Sequence, residues 1–212
     1  METKLLILGK GDNIITMILD NLYSINRTPD IHIYNNLKLP ILNTFEHYGF
    51  NIEMFNSLDI KEYSEIVLGV YQPTHKRKIV EILNPDISKF ISVIHEGLDL
   101  SRMSELGSGV LINSKVSIAA HTMVGDFVSI NRNVSIGHHT KIGDYCSINP
   151  GVNIAGNVTI GEGTTVGMGT NILHTVKIGK NTIIGAGSLV TKDIPDNVIA
   201  YGSPCKVIRI NK

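Results

Sequence analysis

The sequence has no tryptophan, only two cysteines and no excess of either charge, its 19 basic residues being matched by 19 acidic ones. A neutral chain has no long-range field to gather nucleic acid or an anionic membrane, so neither is an expected partner. Cys146 and Cys205 are too few and too far apart for a disulfide framework or a zinc knuckle, and a reducing cytoplasm is the expected location. No apolar run approaches the length of a membrane span. The opening METKLLILGKGD reads as a strand and turn, not as a signal peptide. What is left is an ordinary soluble chain of 212 residues, enough for one large domain or two small ones.

Two patterns divide it. Up to about residue 86, strands alternate with helices. KLLIL (Lys4–Leu8), IHIY (Ile31–Tyr34) and EIVLGV (Glu65–Val70) read as buried strands. IITMILDNLY (Ile14–Tyr23) and HKRKIVEIL (His75–Leu83) read as helices. This alternation predicts a small Rossmann-like parallel sheet with crossover helices. The expected division is an α/β sugar- or nucleotide-binding domain over 1–86 and a second domain with a C-terminal tail over 87–212.

From Gly109 the chain counts in sixes. The fourth place of fourteen consecutive hexads, from Ile112 to Val190, is always Ile or Val, and the second place is always Val, Thr, Cys or Ser. A spacing of six fits neither a helix nor a strand. It marks a solenoid. Each hexad supplies one short strand and one corner, and three hexads close a triangular coil. The branched residue points inward, and the residue two before it must be small where the triangle narrows. Gly often follows the aliphatic residue, and the expectation is that it eases a corner needing positive φ.

This hexad pattern resembles the left-handed parallel β-helix of the hexapeptide-repeat acyltransferases, and such a β-helix is expected over about residues 97–192. The ending Gly202-Ser203-Pro204-Cys205-Lys206 is similar to the Gly-x-Pro-Ala-Lys segment of their coenzyme-A-dependent members, with Cys for Ala. With an α/β domain in front, the whole chain resembles the NeuD/PglD family of sugar O- and N-acetyltransferases. The resemblance implies acetyl-CoA as co-substrate, a nucleotide-linked amino sugar as acceptor, no metal, a homotrimer, and a place in surface polysaccharide biosynthesis.

The frame Ile136-Gly137-His138-His139 followed by Ile142-Gly143-Asp144 matches the family's catalytic segment, so the resemblance gives His138 the general-base position. An acid follows that base in the family, and here His139 takes its place. One coil is eighteen residues, so Gly156 stacks on His138 and leaves room for a thioester to meet a backbone N–H. Acyl transfer needs such a pair, a base for the acceptor's proton and a donor for the oxyanion. Periodicity alone gives a plainer reading of His121, His138, His139 and His174, as water-facing corner residues. The resemblance further implies that Asn131 lies near the substrate and that Gly167, Met168 and Ala186 line the coenzyme path.

In the first domain, Gly9-Lys10-Gly11-Asp12-Asn13 follows a strand and opens a helix, the place of a phosphate-binding turn. The third Gly of the dinucleotide fingerprint is missing and Asn35-Asn36 stand where an acid is expected, so NAD is disfavoured. Gly11, Asp12, Asn13, Asn35, Asn36 and Gly69 are instead candidates to hold the nucleotide sugar, or ordinary turn residues of a docking domain. Three other functions are carried alongside: O-acetylation of sialic acid or another sugar hydroxyl, a zinc hydratase using His121, His138 and His139, and an inactive structural trimer.

Overall fold

The computed structural model describes residues 4–9, 12–34, 52–55, 59–83 and 86–211, with the side chains of 12, 13 and 52–55 outside the description. The first part is a four-stranded parallel sheet: β1 (Lys4–Leu8), β2 (Asp30–Tyr34), β3 (Ile52–Phe55) and β4 (Glu65–Leu68), in the order β3-β2-β1-β4. Helix α1 (Asp12–Ser24) links β1 to β2, and α2 (Pro73–Leu83) follows β4. β1 is central and buried along Leu5–Leu8, which explains its unbroken aliphatic run. β3 is an addition to the sequence reading, since IEMF is four residues long with a Glu in it and carries no clear period.

The second part is the expected left-handed parallel β-helix. Its coils begin earlier than the regular hexads, with Val93–Ile94, Asp99–Leu100 and Glu105–Leu106 forming the first turn. Asp99–Leu100 and Glu105–Leu106 fall within the β-helix expected from about residue 97, and Val93–Ile94 precedes it. Register is eighteen residues throughout the hexads, as in Ser135↔Asn153 and Ile136↔Ile154. The predicted inward positions are all buried, from Val110 and Ile112 to Ser188 and Val190. They form one continuous core down the prism axis. Each coil thereby covers the apolar top of the coil before it, so stability comes from stacking rather than from any single hexad.

The glycines serve a different purpose from the one expected. The left-handed backbone falls on the first place of each hexad, at residues such as His121, Asn133, His139, Asn157 and Thr175, with φ between 57° and 64°. The Gly after the aliphatic residue is needed because coils meet there. A Cβ on Gly137 would lie 2.5 Å from the Gly156 nitrogen, and one on Gly167 would lie 2.5 Å from the Ala186 nitrogen.

The prism has three faces. The first runs from Val93–Ile94 through Leu111–Ile112, Ser129–Ile130 and Ser147–Ile148 to a closing hairpin, Val198–Gly202 with Cys205–Ile210. The second runs from Asp99–Leu100 through Ser135–Ile136 to Leu189–Val190, and the third from Glu105–Leu106 through Lys141–Ile142 to Lys177–Ile178. The α/β part sits on the first face. Asn21 of α1 donates to the carbonyls of Ile112 (2.8 Å) and Val93 (3.3 Å). Tyr71 donates to Ile148 O at 3.1 Å, and Ser147 donates back to Tyr71 O at 2.6 Å. Lys76 of α2 is fully buried and donates to Phe127 O (2.9 Å) and Ser129 Oγ (2.7 Å). Consequently Leu111, Ser129 and Ser147 are buried although they point out of the prism, whereas Ser135 and Lys141 on the other two faces are exposed.

Candidate active site

The histidines lie at the corner between the second and third faces, away from the α/β part. His138 ends one hexad and His139 begins the next, so the corner projects both imidazoles into solvent. His139 has φ 57°, and its backbone N–H bonds to Ala120 O of the coil before. The His138 carbonyl accepts from Asn157 N–H of the coil after, at 2.8 Å. Both rings therefore stand on a backbone fixed from each side.

The side chains form a ladder. His138 Nδ1 and His139 Nδ1 are 3.0 Å apart with the rings at 87°. His139 leans on His121, ring centroids 4.7 Å apart, and His138 faces His174 at 6.2 Å. Among the described residues none of the four rings is bonded to a carboxylate, and no group of three or more His, Cys, Asp or Glu is arranged to hold a metal ion.

Gly156 is buried beside His138 in the next coil. A Cβ there would lie 2.7 Å from both Nε2 and Cε1 of the imidazole, so the ring occupies the space a side chain would take. Several amides at this sixth place are capped by side chains elsewhere in the prism: Asp126 N–H by Asp144, Arg132 N–H by Asn131, Lys180 N–H by Asp196. Among the described residues the Gly156 N–H makes no hydrogen bond. The flat face of the imidazole thus covers Gly156, whose amide is uncapped, and fills the room expected there for a thioester. Gly156→Ala is expected to force the ring aside and to lower turnover ~10²-fold, the scale of a misplacement near 1 Å. Steady-state kinetics beside a circular dichroism spectrum unchanged from wild type is the check.

The remaining predicted residues fall into two other places. Asn131, Gly167, Met168 and Ala186 lie at the corner between the first and second faces, so one strand of the second face separates them from His138 in the same chain. Here α1 approaches. Ile14, Met17, Tyr71, Asn131 and Asn149 line a cavity of about 250 Å³. Asn131 also bonds to the Tyr71 side chain, whose phenol is pushed well above its ordinary pKa by burial. At the rim of the sheet, Gly69 is buried and packs on Gly9, and its N–H donates to Leu8 O at 2.8 Å. Asp12 and Asn13 open α1, while Gly11, Asn35 and Asn36 lie outside the described residues. A larger depression of about 460 Å³ near Asp20, Tyr23, His95 and Glu96 contains none of the predicted residues.

Sequence reasoning missed Tyr71, Lys76 and Asn149. A signal for Lys76 existed: Pro73, Lys76, Val80 and Leu83 recur at helical spacing, which puts the lysine on the inward face of α2. Asn149 is eighteen residues after Asn131 and stacks on it. Tyr71 has no such sign.

The bacterial transferase hexapeptide (six repeats) family matches residues 121–156 and 157–192. No curated protein sequence matches the chain. Among solved structures, the acetyltransferase domain of PglB from Neisseria gonorrhoeae, in complex with acetyl coenzyme A, superposes with TM-score 0.84 at 23% identity, covering 98% of this chain and 100% of that one. A histidine-to-asparagine mutant of perosamine N-acetyltransferase from Caulobacter crescentus, in complex with CoA and GDP-perosamine, gives 0.83 at 24% identity with 96% of each chain covered. WeeI from Acinetobacter baumannii gives 0.80 at 20% identity, over 97% of this chain and 100% of that one. At these identities the likeness is one of fold, and it extends over both halves of the chain.

Proposed function

We propose that this chain, whose β-helix carries the bacterial transferase hexapeptide repeat and whose fold is that of the NeuD/PglD-like sugar acetyltransferases, moves acetyl from acetyl-CoA to the amino group of a nucleotide-linked amino sugar. One observation carries the reading: the exposed His138 imidazole and the uncapped Gly156 amide at a single corner. The acceptor amine attacks the thioester carbonyl, a C–N bond forms, and the carbonyl oxygen becomes an oxyanion. Gly156 N–H bonds to that oxyanion. His138 Nε2 takes the proton from the attacking nitrogen. The intermediate collapses, the C–S bond breaks, and the proton held on His138 passes to the departing thiolate of coenzyme A.

The two corners explain why assembly belongs to the reading. The small residues Gly167 and Ala186, with Met168, suit a thin pantetheine arm, and the α1 cavity lined by Asn131 suits the sugar nucleotide. Both are at or near the first face, whereas His138 is on the edge of the prism opposite that face. Packing around a threefold axis brings the first corner of one subunit against the histidine corner of its neighbour. The assembly is a homotrimer, and it works in the cytoplasm, where acetyl-CoA is available. No described helix is long and apolar enough to cross a membrane.

Thiol release from acetyl-CoA, measured over a panel of amino-sugar nucleotides and hydroxyl-bearing sugars including sialic acid, tests the reaction. Release with an amino sugar alone supports it, and release only with a hydroxyl acceptor replaces N-acetylation by O-acetylation. For the assembly, sedimentation of the active enzyme is expected at three times the 23.2 kDa chain mass, and full activity at the mass of one chain rejects the shared site.

A further inference from the structure

We infer that His139 is a positioning residue that fixes the proton of His138 through an imidazole–imidazole hydrogen bond. The inference rests on the acetyl-transfer reading above, because the direction of that bond follows from the nitrogen His138 must keep free. Two neutral rings with their Nδ1 atoms 3.0 Å apart hold one proton between them, since two N–H groups or two lone pairs would repel. Either His138 donates or His139 does.

The surroundings choose. The His138 ring lies flat over Gly156, and with Nδ1 taken by His139 its Nε2 is the nitrogen left to carry a base's lone pair. The proton of neutral His138 is therefore on Nδ1, and His139 Nδ1 accepts it. His139 then carries its own proton on Nε2. A free neutral imidazole prefers Nε2–H, so His138 held as Nδ1–H is held against its own preference. Orienting a catalytic imidazole through Nδ1 is the task that a carboxylate performs in hydrolase triads. In this corner a neutral ring performs it, and among the described residues no carboxylate is bonded to either histidine.

The fold supplies what such an acceptor requires. His139 sits in the left-handed conformation at φ 57°, tied to Ala120 O at 3.0 Å, and its ring rests against His121. When His138 takes the substrate proton on Nε2, its Nδ1–H becomes part of a cation and the bond to His139 shortens and strengthens. The helper thus acts most in the charged state. His174 completes the column from the other side, where its Nε2 lies 3.5 Å from Asn157 Nδ2.

The test uses ¹⁵N-labelled full-length enzyme. Long-range ¹H–¹⁵N spectra at a pH where the rings are neutral are expected to show His138 protonated on Nδ1 and His139 on Nε2. In His139→Gly, which keeps the left-handed corner unstrained, His138 is expected to revert to Nε2–H. Its kcat should drop on the order of 10–10²-fold with KM for acetyl-CoA unchanged. His139→Asn places an amide oxygen where Nδ1 stood, in a residue that tolerates positive φ, and is expected to restore both the Nδ1–H form and most of the turnover. His138 protonated on Nε2 in the wild type, or Asn no better than Gly, overturns the assignment. These spectra need no turnover, so they judge the hydrogen bond even if His138→Ala remains active and the base proves to be another group.

Discussion

His138→Ala is expected to lose turnover by ~10²–10⁴-fold, the usual worth of a general base. Acetyl-CoA binding should persist. Gly167, Met168 and Ala186 are at another corner, and removing an exposed ring disturbs none of the stacking that holds the coils. The measurement is kcat from thiol release beside the dissociation constant of acetyl-CoA by calorimetry. A variant that binds the coenzyme and turns over normally would place the base elsewhere. A variant that loses both would mean that the coenzyme itself rests on His138, contrary to the division of the two corners.

The second large effect concerns stability, through Lys76. Its ammonium is buried beneath α2 without a carboxylate partner among the described residues. Besides Phe127 O and Ser129 Oγ it has Cys146 O at 3.3 Å, Ser147 Oγ at 3.4 Å and the Tyr71 ring, whose centroid is 5.7 Å away. Loss of water lowers its pKa to about 7 from 10.5. The folded pKa is below the unfolded one, so between these values the unfolded chain binds a proton that the folded chain does not. Stability therefore rises with pH through that window, by at most about 1.4 kcal/mol per unit.

The useful range closes near pH 9, because burial pushes the Cys146 thiol up to about 12 from 9.0 and its contribution has the opposite sign. Across pH 7 to 9 the gain from Lys76 is on the order of 2 kcal/mol. Lys76→Met fills the same space without a charge. Its urea midpoint is expected to exceed wild type at pH 7 and to lose the rise toward pH 9. An equal rise in both proteins would show that Lys76 is not the titrating group.

The β-helix was legible because every hexad repeats the same demand, a small residue and a branched one pointing into a narrow triangle. Fourteen copies average out local noise. Its first strand, Val93–Ile94, lies before the start expected near residue 97, because Leu100 and Leu106 at the next two fourth places lack the β-branch of the regular hexads and blur where the pattern begins. The purpose of the fifth-place glycines was misread for a related reason. Sequence shows that a glycine is present, but a requirement for positive φ and a requirement for close approach leave the same letter.

Spacing along one chain was enough to specify the periodic core, the alternation of strands and helices before it, and the identity of the corner histidines. The folded arrangement alone settled which prism face the α/β part covers, and with it the burial of Lys76 and the separation of Asn131 from His138. It also settled that His138 and His139 meet through their Nδ1 atoms and that the Gly156 amide is left uncapped. These depend on directions of side chains and on contacts between residues 18 to 91 positions apart, which no local pattern specifies.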